Sequence, residues 1–279
     1  MLEIVQEGGR IALGMLEDSQ PRLKPDASVL TEADIAVSRM IREKMKDILS
    51  RPGHILIDEE DQQSGRFFDE QVLTENPYLW VIDPIDGTRA FSNRMPLFGV
   101  SIGLLRERRP WLGAVFFPAL RELFFADGTQ AFFVREAFSA QEKRVPIKRI
   151  DQEITRQSVF FGNDAFWKEY EWDFTLCQMM MPSCAVMDFC WPAVGRGCGC
   201  MFNSYIWDFG GAWPIARAAG LDLRSLTDGK PVEQISLDLF QGKGTLSWRL
   251  KENYLLSSER NFSVIREQGI HPKGSRLRF

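Results

Sequence analysis

Apolar positions at helical spacing open the chain. Residues 3–16 predict an amphipathic helix that its glycines weaken. A second helix is predicted through Ser50, with Ile35, Val37, Met40, Ile41, Met45 and Ile48 on its apolar side. Thr31 reads as its N-cap, with Asp34 three positions on. The pattern then changes to short apolar runs. Residues 54–57, 98–105, 111–117, 122–126 and 130–134 predict strands, the last four as two pairs around turns at 106–110 and 127–129. Polar residues 139–153 mark the expected boundary between an N-terminal α+β domain (1–145) and a C-terminal α/β domain (146–279). Beyond it, 158–161 predict a strand, 164–180 a helix, 185–194 a buried helix and 201–205 a strand. A helix is expected to start at Trp207-Asp208, hold Pro214 in its first turns and end at Gly220. Residues 221–223 and 254–257 predict closing strands, and 259–268 a last helix.

Composition narrows the class. The 279 residues are 44% hydrophobic and 26% charged, enough for one large core or two packed domains. The net charge of -4, without a long run of like charge, offers no footprint for nucleic acid; the basic tail of Lys273, Arg276 and Arg278 reads as solvated. No stretch is apolar for long enough to span a membrane, and the first residues carry acids rather than a signal-type apolar core, so the expected location is the cytoplasm. Five cysteines, an odd number clustered at 177–200, argue against a disulfide framework. With only His54 and His271 and no separated Cys-x-x-Cys pairs, a zinc cluster is also disfavoured, and buried reduced thiols are expected.

The chemistry concentrates in Trp80-Val81-Ile82-Asp83-Pro84-Ile85-Asp86-Gly87-Thr88-Arg89-Ala90-Phe91. Three apolar residues predict the end of a buried strand. Pro84 disfavours helix at Asp83, so the chain is expected to leave the strand there. Gly87-Thr88 can begin a helical turn whose N–H groups face an anion. Two acids beside an anion-binding turn would repel a phosphate unless hard cations lie between, and carboxylates are the ligands Mg²⁺ favours. The plain alternative is a strand-turn with a capping aspartate. Three other features add to the first reading: acids follow the strand at 54–57 (Asp58-Glu59-Glu60-Asp61), Asp34 sits at a helix start, and Asp208 sits where a strand meets a helix.

These elements together resemble the inositol monophosphatase family. Residues 80–88 resemble its first signature, 207–220 its second, Asp58-Glu59-Glu60 its Gly-Glu-Glu element, and Lys24-Pro25-Asp26-Ala27-Ser28 with Thr31 to Asp34 its Lys-x-Asp-x-Ser … Thr-x-x-Asp segment. The elements fall in family order over about residues 4–268. The resemblance implies an α/β/α/β/α sandwich of the inositol monophosphatase / fructose-1,6-bisphosphatase type, small phosphorylated metabolites as substrates, hydrolysis of a phosphate monoester with two to three Mg²⁺ ions, lithium sensitivity and a homodimer. It implies that Glu59, Asp83 and the Ile85 carbonyl hold one ion, that Asp83, Asp86 and Asp208 hold a second, and that Glu59 helps with a third. Asp34 and Thr88 would activate the attacking water, the Gly87 and Thr88 N–H groups would grip phosphate, and Lys24 would lie near it.

Departures bear on the substrate. The strand before Trp207-Asp208 lacks the glutamate of many inositol enzymes; Asn203 or Ser204 could replace it. Arg89-Ala90-Phe91 is closer to histidinol-phosphate phosphatases of the family, and Arg89 could meet a second anion, as in bisphosphate substrates. Two further readings compete. Cys190 and Arg196 fit the Cys-x₅-Arg loop of thiolate phosphatases, within an apolar helical pattern. A non-catalytic metal- or phosphate-binding protein could keep the fold, although it would not need the Asp34–Thr88 pair. Asp-x-x-Asp is not the Asp-x-Asp of haloacid-dehalogenase phosphatases, and no P-loop occurs.

Overall fold

The computed structural model describes residues 1–24, 28–163 and 166–274. Pro25, Asp26 and Ala27 of the Lys24–Ser28 element lie outside the described residues, as do Arg276 and Arg278 of the tail and the first two positions of the helix expected at 164–180.

The two N-terminal helices form where periodicity predicts them: α1 spans Leu2–Met15 and α2 spans Glu32–Leu49. Between them lies an antiparallel pair, β1 (Arg22–Leu23) with β2 (Val29–Leu30). A seven-stranded sheet follows in chain order: β3 (His54–Asp58), β4 (Tyr78–Asp86), β5 (Gly99–Arg106), β6 (Arg109–Phe117), β7 (Glu122–Ala126), β8 (Ala131–Arg135) and β9 (Lys143–Pro146). Only β3 and β4 are parallel in it; the other neighbours run antiparallel, as short hairpins allow. The short α3 (Glu70–Glu75), capped by Asp69, joins β3 to β4, and α4 (Thr88–Ser92) follows β4.

A second sheet is built from β10 (Val159–Phe161), β12 (Gln178–Met180), β13 (Gly199–Phe202), β14 (Asp222–Ser225) and β15 (Tyr254–Ser257), in the order β12-β10-β13-β15-β14. The helices α6 (Ala185–Cys190), α7 (Trp207–Gly210) and α8 (Trp213–Ala218) lie between the sheets, and α9 (Glu259–Val264) lies outside the second.

The layering follows from strand alternation. Trp80 and Ile82 point to the core under α1 and α2, while Val81 points to the central core with Val186, Phe189, Phe209 and Trp213. In the second sheet Phe161, Cys200 and Leu256 face that central core, and Phe160, Met201 and Leu255 face the third, with Phe262 and Ile265. Three cores separate five layers, which is the α/β/α/β/α sandwich.

Several local expectations change. β4 does not end at Asp83 but continues to Asp86, with a register irregularity between them; the proline is absorbed by a bulge instead of ending the strand. The helix expected at 164–180 is instead α5 (Phe166–Glu169), β11 (Tyr170–Trp172) and β12. β11 pairs with β16 (Ile270–Pro272), a strand the pattern did not signal, and Trp172 stacks on Phe160 with centroids 4.4 Å apart. These contacts override the helical spacing of Trp167, Tyr170, Phe174 and Cys177. The helix expected from Trp207 to Gly220 is broken into α7 and α8, the one expected at 185–194 ends at Cys190 with a 3₁₀ turn beyond, the strand expected at 201–205 runs Gly199–Phe202, and part of the polar segment 139–153 is the edge strand β9.

Candidate active site

Asp34, Glu59, Asp86 and Asp208 lie at element ends, and Asp83 lies at the bulge of β4. Asp34 is in the first turn of α2, where its Oδ2 accepts from the Thr31 N–H at 2.7 Å and from the Thr31 hydroxyl at 2.5 Å. Its Oδ1 faces the Thr88 hydroxyl at 3.1 Å; that hydroxyl also lies 2.9 Å from the Ile85 carbonyl. One O–H proton can serve only one of the two acceptors. Gly87, the residue before α4, has φ of 86°, a conformation that glycine adopts without a Cβ penalty; a Cβ would also press on the Leu97 carbonyl. This turn sets Thr88 back over Asp34.

The run Asp58-Glu59-Glu60-Asp61 divides by partner. Asp58 is fully buried and accepts from the Ser38 hydroxyl (2.7 Å) and from Arg42 (2.6 Å). Asp61 pairs with Arg66 and Arg42. Glu59 and Glu60 share the Lys24 ammonium at 3.1 and 2.9 Å. Those two acids hold Lys24 above its ordinary pKa despite its burial.

Asp83, Asp86 and Asp208 converge, with one carboxylate oxygen from each inside a 4.8 Å group. Close packing of α7 against the first sheet makes this possible. Gly210 and Gly211, just after Asp208, rest against Gly103 of β5 and Gly113 of β6; a Cβ at Gly103 would collide with the Gly210 carbonyl, and one at Gly113 with the Gly211 carbonyl. Asp86 is held by α6: its Oδ1 accepts from the Ala185 N–H at 3.0 Å and its Oδ2 from the Val186 N–H. Asp208 Oδ2 accepts from the Tyr205 N–H at 2.8 Å.

Electrostatics sets these groups apart from ordinary carboxylates. Burial, and then Glu59, Asp86 and Asp208 nearby, push Asp83 far up. Burial also raises Glu59, Asp86 and Asp208 to about 7 and Asp34 to about 6, against the pull of their hydrogen-bond donors. Asp83 Oδ1 is buried without any hydrogen-bond partner. Converging carboxylates with an orphaned oxygen suit a hard divalent cation, whose charge would relieve both the repulsion and the missing hydrogen bond.

Glu59, Asp86 and Asp208 border a cavity of about 490 Å³ that also takes in Gly87, Thr88, Arg89 and Asn203. Arg89 is exposed, and Asn203 Oδ1 is buried without a partner. Lys24 instead borders an adjoining cavity of about 510 Å³, beside Tyr205 and Trp207, whose rings stack 4.5 Å apart. Pattern reading did not single out Asp188. It lies on the apolar α6, is 4% exposed and borders the first cavity; burial, then Asp86, push it well above the usual carboxylate range. An acid inside an apolar helical run was the available signal.

The thiolate reading fails on geometry. Cys190 is fully buried in the central core, burial pushes its thiol up, and Arg196 forms two 2.7 Å hydrogen bonds to Glu122. All five cysteines are free thiols. No helix among the described residues is long and apolar enough to cross a membrane.

A five-layered α/β/α/β/α sandwich with converging acids between the first sheet and the central helices defines the fold class, and comparison with known proteins names the family. Residues 3–261 match the inositol monophosphatase family, and the chain belongs to it. It is 28% identical over 222 residues to inositol monophosphatase 3 of Solanum lycopersicum, covering 78% of this chain and 79% of that one. A histidinol-phosphatase of Chlorobaculum parvum is 37% identical over 134 residues, 47% of this chain and 48% of that one. The crystal structure of the extragenic suppressor protein suhB from Bartonella henselae shares the fold with a TM-score of 0.71 at 20% identity, over 95% of each chain. The family, like the tomato and Chlorobaculum relatives, is one of phosphatases acting on small phosphorylated substrates.

Proposed function

We propose that this chain hydrolyses a small phosphate monoester, of the inositol-phosphate or histidinol-phosphate kind, with Mg²⁺ at the acidic cluster. The observation that carries the reading is the convergence of Asp83, Asp86 and Asp208 around the unpartnered Asp83 Oδ1. Asp83, Asp86, Asp208, Glu59 and the Ile85 carbonyl would hold the ions. Bound there, Mg²⁺ supplies charge to offset the phosphoryl oxygens and the acidity that makes water a nucleophile near neutral pH.

The chain's own part is placement and proton transfer. Asp34 takes the proton of the attacking water, and Thr88, hydrogen-bonded to Asp34, orients it. A pKa of about 6 suits Asp34 to that task, because it is ionised at neutral pH yet basic enough to accept. Gly87 and Thr88 offer backbone N–H groups to the phosphate, and Arg89 adds charge at the cavity rim. The hydrogen bonds from Ala185 and Val186 keep Asp86 aimed at the cluster.

The test is phosphate release, with and without Mg²⁺, from inositol 1-phosphate, histidinol phosphate, fructose 1,6-bisphosphate and 3′-phosphoadenosine 5′-phosphate. Mg²⁺-dependent release is expected from a monoester of the first two kinds. Release only from the last two would shift the substrate to bisphosphates. Mg²⁺ binding without release from any ester would replace the enzyme by a metal-binding protein of the same fold.

A further inference from the structure

Asp188 shares the 490 Å³ cavity with Asp86, Thr88 and Asp208, yet the hydrolysis outlined above gives it no task. Its Oδ1 is buried and has no hydrogen-bond partner. Its helix neighbours Met187, Phe189 and Cys190 are fully buried and apolar. An apolar side chain of similar size would fit that run without the cost of an unsatisfied acceptor. The acid is not needed to place the helix, because α6 is tied to Asp86 through the Ala185 and Val186 N–H groups. A residue that breaks the local pattern without a structural return marks a functional position.

A second atom on another element makes the same demand. Asn203, just beyond β13, borders the same cavity, and its Oδ1 is also buried without a partner. Arg89, Lys168 and Arg249 border the cavity too; Arg89 and Lys168 are exposed, and the half-buried Arg249 lies over the Tyr205 ring. None of them meets the two buried acceptors, which therefore still lack donors. α6 holds Asp86 at its start and Asp188 within its first turns, so the helix fixes the distance from the reacting centre to this acceptor.

We propose that Asp188, with Asn203, forms the leaving-group subsite: their acceptor oxygens receive hydrogen-bond donors carried by the alcohol that departs from phosphorus. The inference rests on the phosphatase reading and narrows its substrates to esters whose alcohol bears a further hydroxyl or a protonated amine. Asp188 is the residue that selects them.

The experiment compares matched esters with Mg²⁺ present. Inositol 1-phosphate is set against cyclohexyl phosphate, and ethanolamine phosphate against propyl phosphate. The wild-type protein is expected to favour the donor-bearing member of at least one pair by about tenfold or more in kcat/KM, since a site built to hydrogen-bond a substrate rejects an analogue that leaves its polar groups unpaired. In Asp188→Leu that preference collapses, mostly through KM, while the donor-free ester stays within about threefold of wild type. Asp188→Asn restores the preference for the hydroxyl-bearing ester but not for the amine, which separates the two kinds of donor. Equal wild-type rates within both pairs overturn the inference and leave the phosphatase reading standing. So does an equal loss on both members in Asp188→Leu, which would mark a structural role. If neither variant folds, the wild-type ratios decide alone. No Mg²⁺-dependent release from any ester removes the phosphatase reading and this inference with it.

Discussion

Thr88 and Asp34 are 54 positions apart in the chain, yet the Thr88 hydroxyl lies 3.1 Å from Asp34 Oδ1. Removing either group should strike turnover harder than binding. Asp34→Asn is expected to lower kcat by a factor of about 10² to 10⁴ with KM little changed, the usual contribution of a general base. Thermal melting should show a folded protein, because asparagine keeps an acceptor for Thr31. Steady-state kinetics with a turned-over ester reads the split; an effect confined to KM would contradict the assignment.

Asp83→Asn and Asp208→Asn are each expected to abolish turnover while the fold remains intact. Both replace an acid of the convergent group with a neutral side chain, so the metal-free melting temperature should hold or rise. The stabilisation that added Mg²⁺ brings to wild type should disappear in both. Wild-type rates in either variant would sink the site assignment.

The raised carboxyl pKa values predict a pH dependence of stability. Glu59, Asp86 and Asp208 titrate at about 7 in the folded protein and Asp34 at about 6, all raised first by burial. Unfolded carboxyls titrate near ~4. Between these values the folded form holds protons that the unfolded form has released, so stability is full below the unfolded pKa and is lost as pH climbs through the folded one. Metal-free protein in chelator should melt about 5 °C lower or more at pH 8 than at pH 5, and Mg²⁺ should shrink that difference. Calorimetric scans at the two pH values, with chelator or with Mg²⁺, decide it; a flat metal-free profile would contradict the prediction.

Gly113→Ala tests how the segment after Asp208 meets the first sheet. The new Cβ would collide with the Gly211 carbonyl and crowd Pro214, and a backbone atom cannot swing aside. The expected cost is about 1–3 kcal/mol of stability. Mg²⁺ affinity should fall with it, since Asp208 is only a few residues from the displaced segment. Denaturant melts and metal titration measure both; full retention of stability would mean that the approach is looser than the structure indicates.

Iodoacetamide should leave native turnover unchanged, because Cys190 is fully buried and its thiol is held protonated. Rapid inactivation that substrate prevents would return the thiolate mechanism to consideration.

Local chemistry made much of this legible before any coordinates. The capping box at Thr31 and Asp34, the glycine turn at 87 and the helices α1 and α2 are settled by neighbours within a few residues, and periodicity records them. Over 166–180 the helical spacing does not predict the structure, because periodicity reports which side chains are buried and not what buries them; the stack of Trp172 on Phe160 and the pairing of β11 with β16 are contacts with distant segments. Pro84 fixes its own φ and disfavours helix at Asp83, which predicts a sharp exit from the strand; only the neighbouring strand shows that a bulge absorbs it.

By itself the sequence determined the family pattern and which acids stand near the turns that follow β3 and β4 and at the start of α7. Tertiary structure decided which acids share a cation, Glu59 and Glu60 on Lys24, and which stand together without one, Asp83, Asp86 and Asp208. It also decided that Asp188 lines the cavity. The physical reason is distance along the chain. The Asp86 carboxylate is held by N–H groups 99 and 100 positions away, and Asp208 reaches it because glycines let two backbones touch; neither relationship leaves a mark in the local pattern of polar and apolar residues.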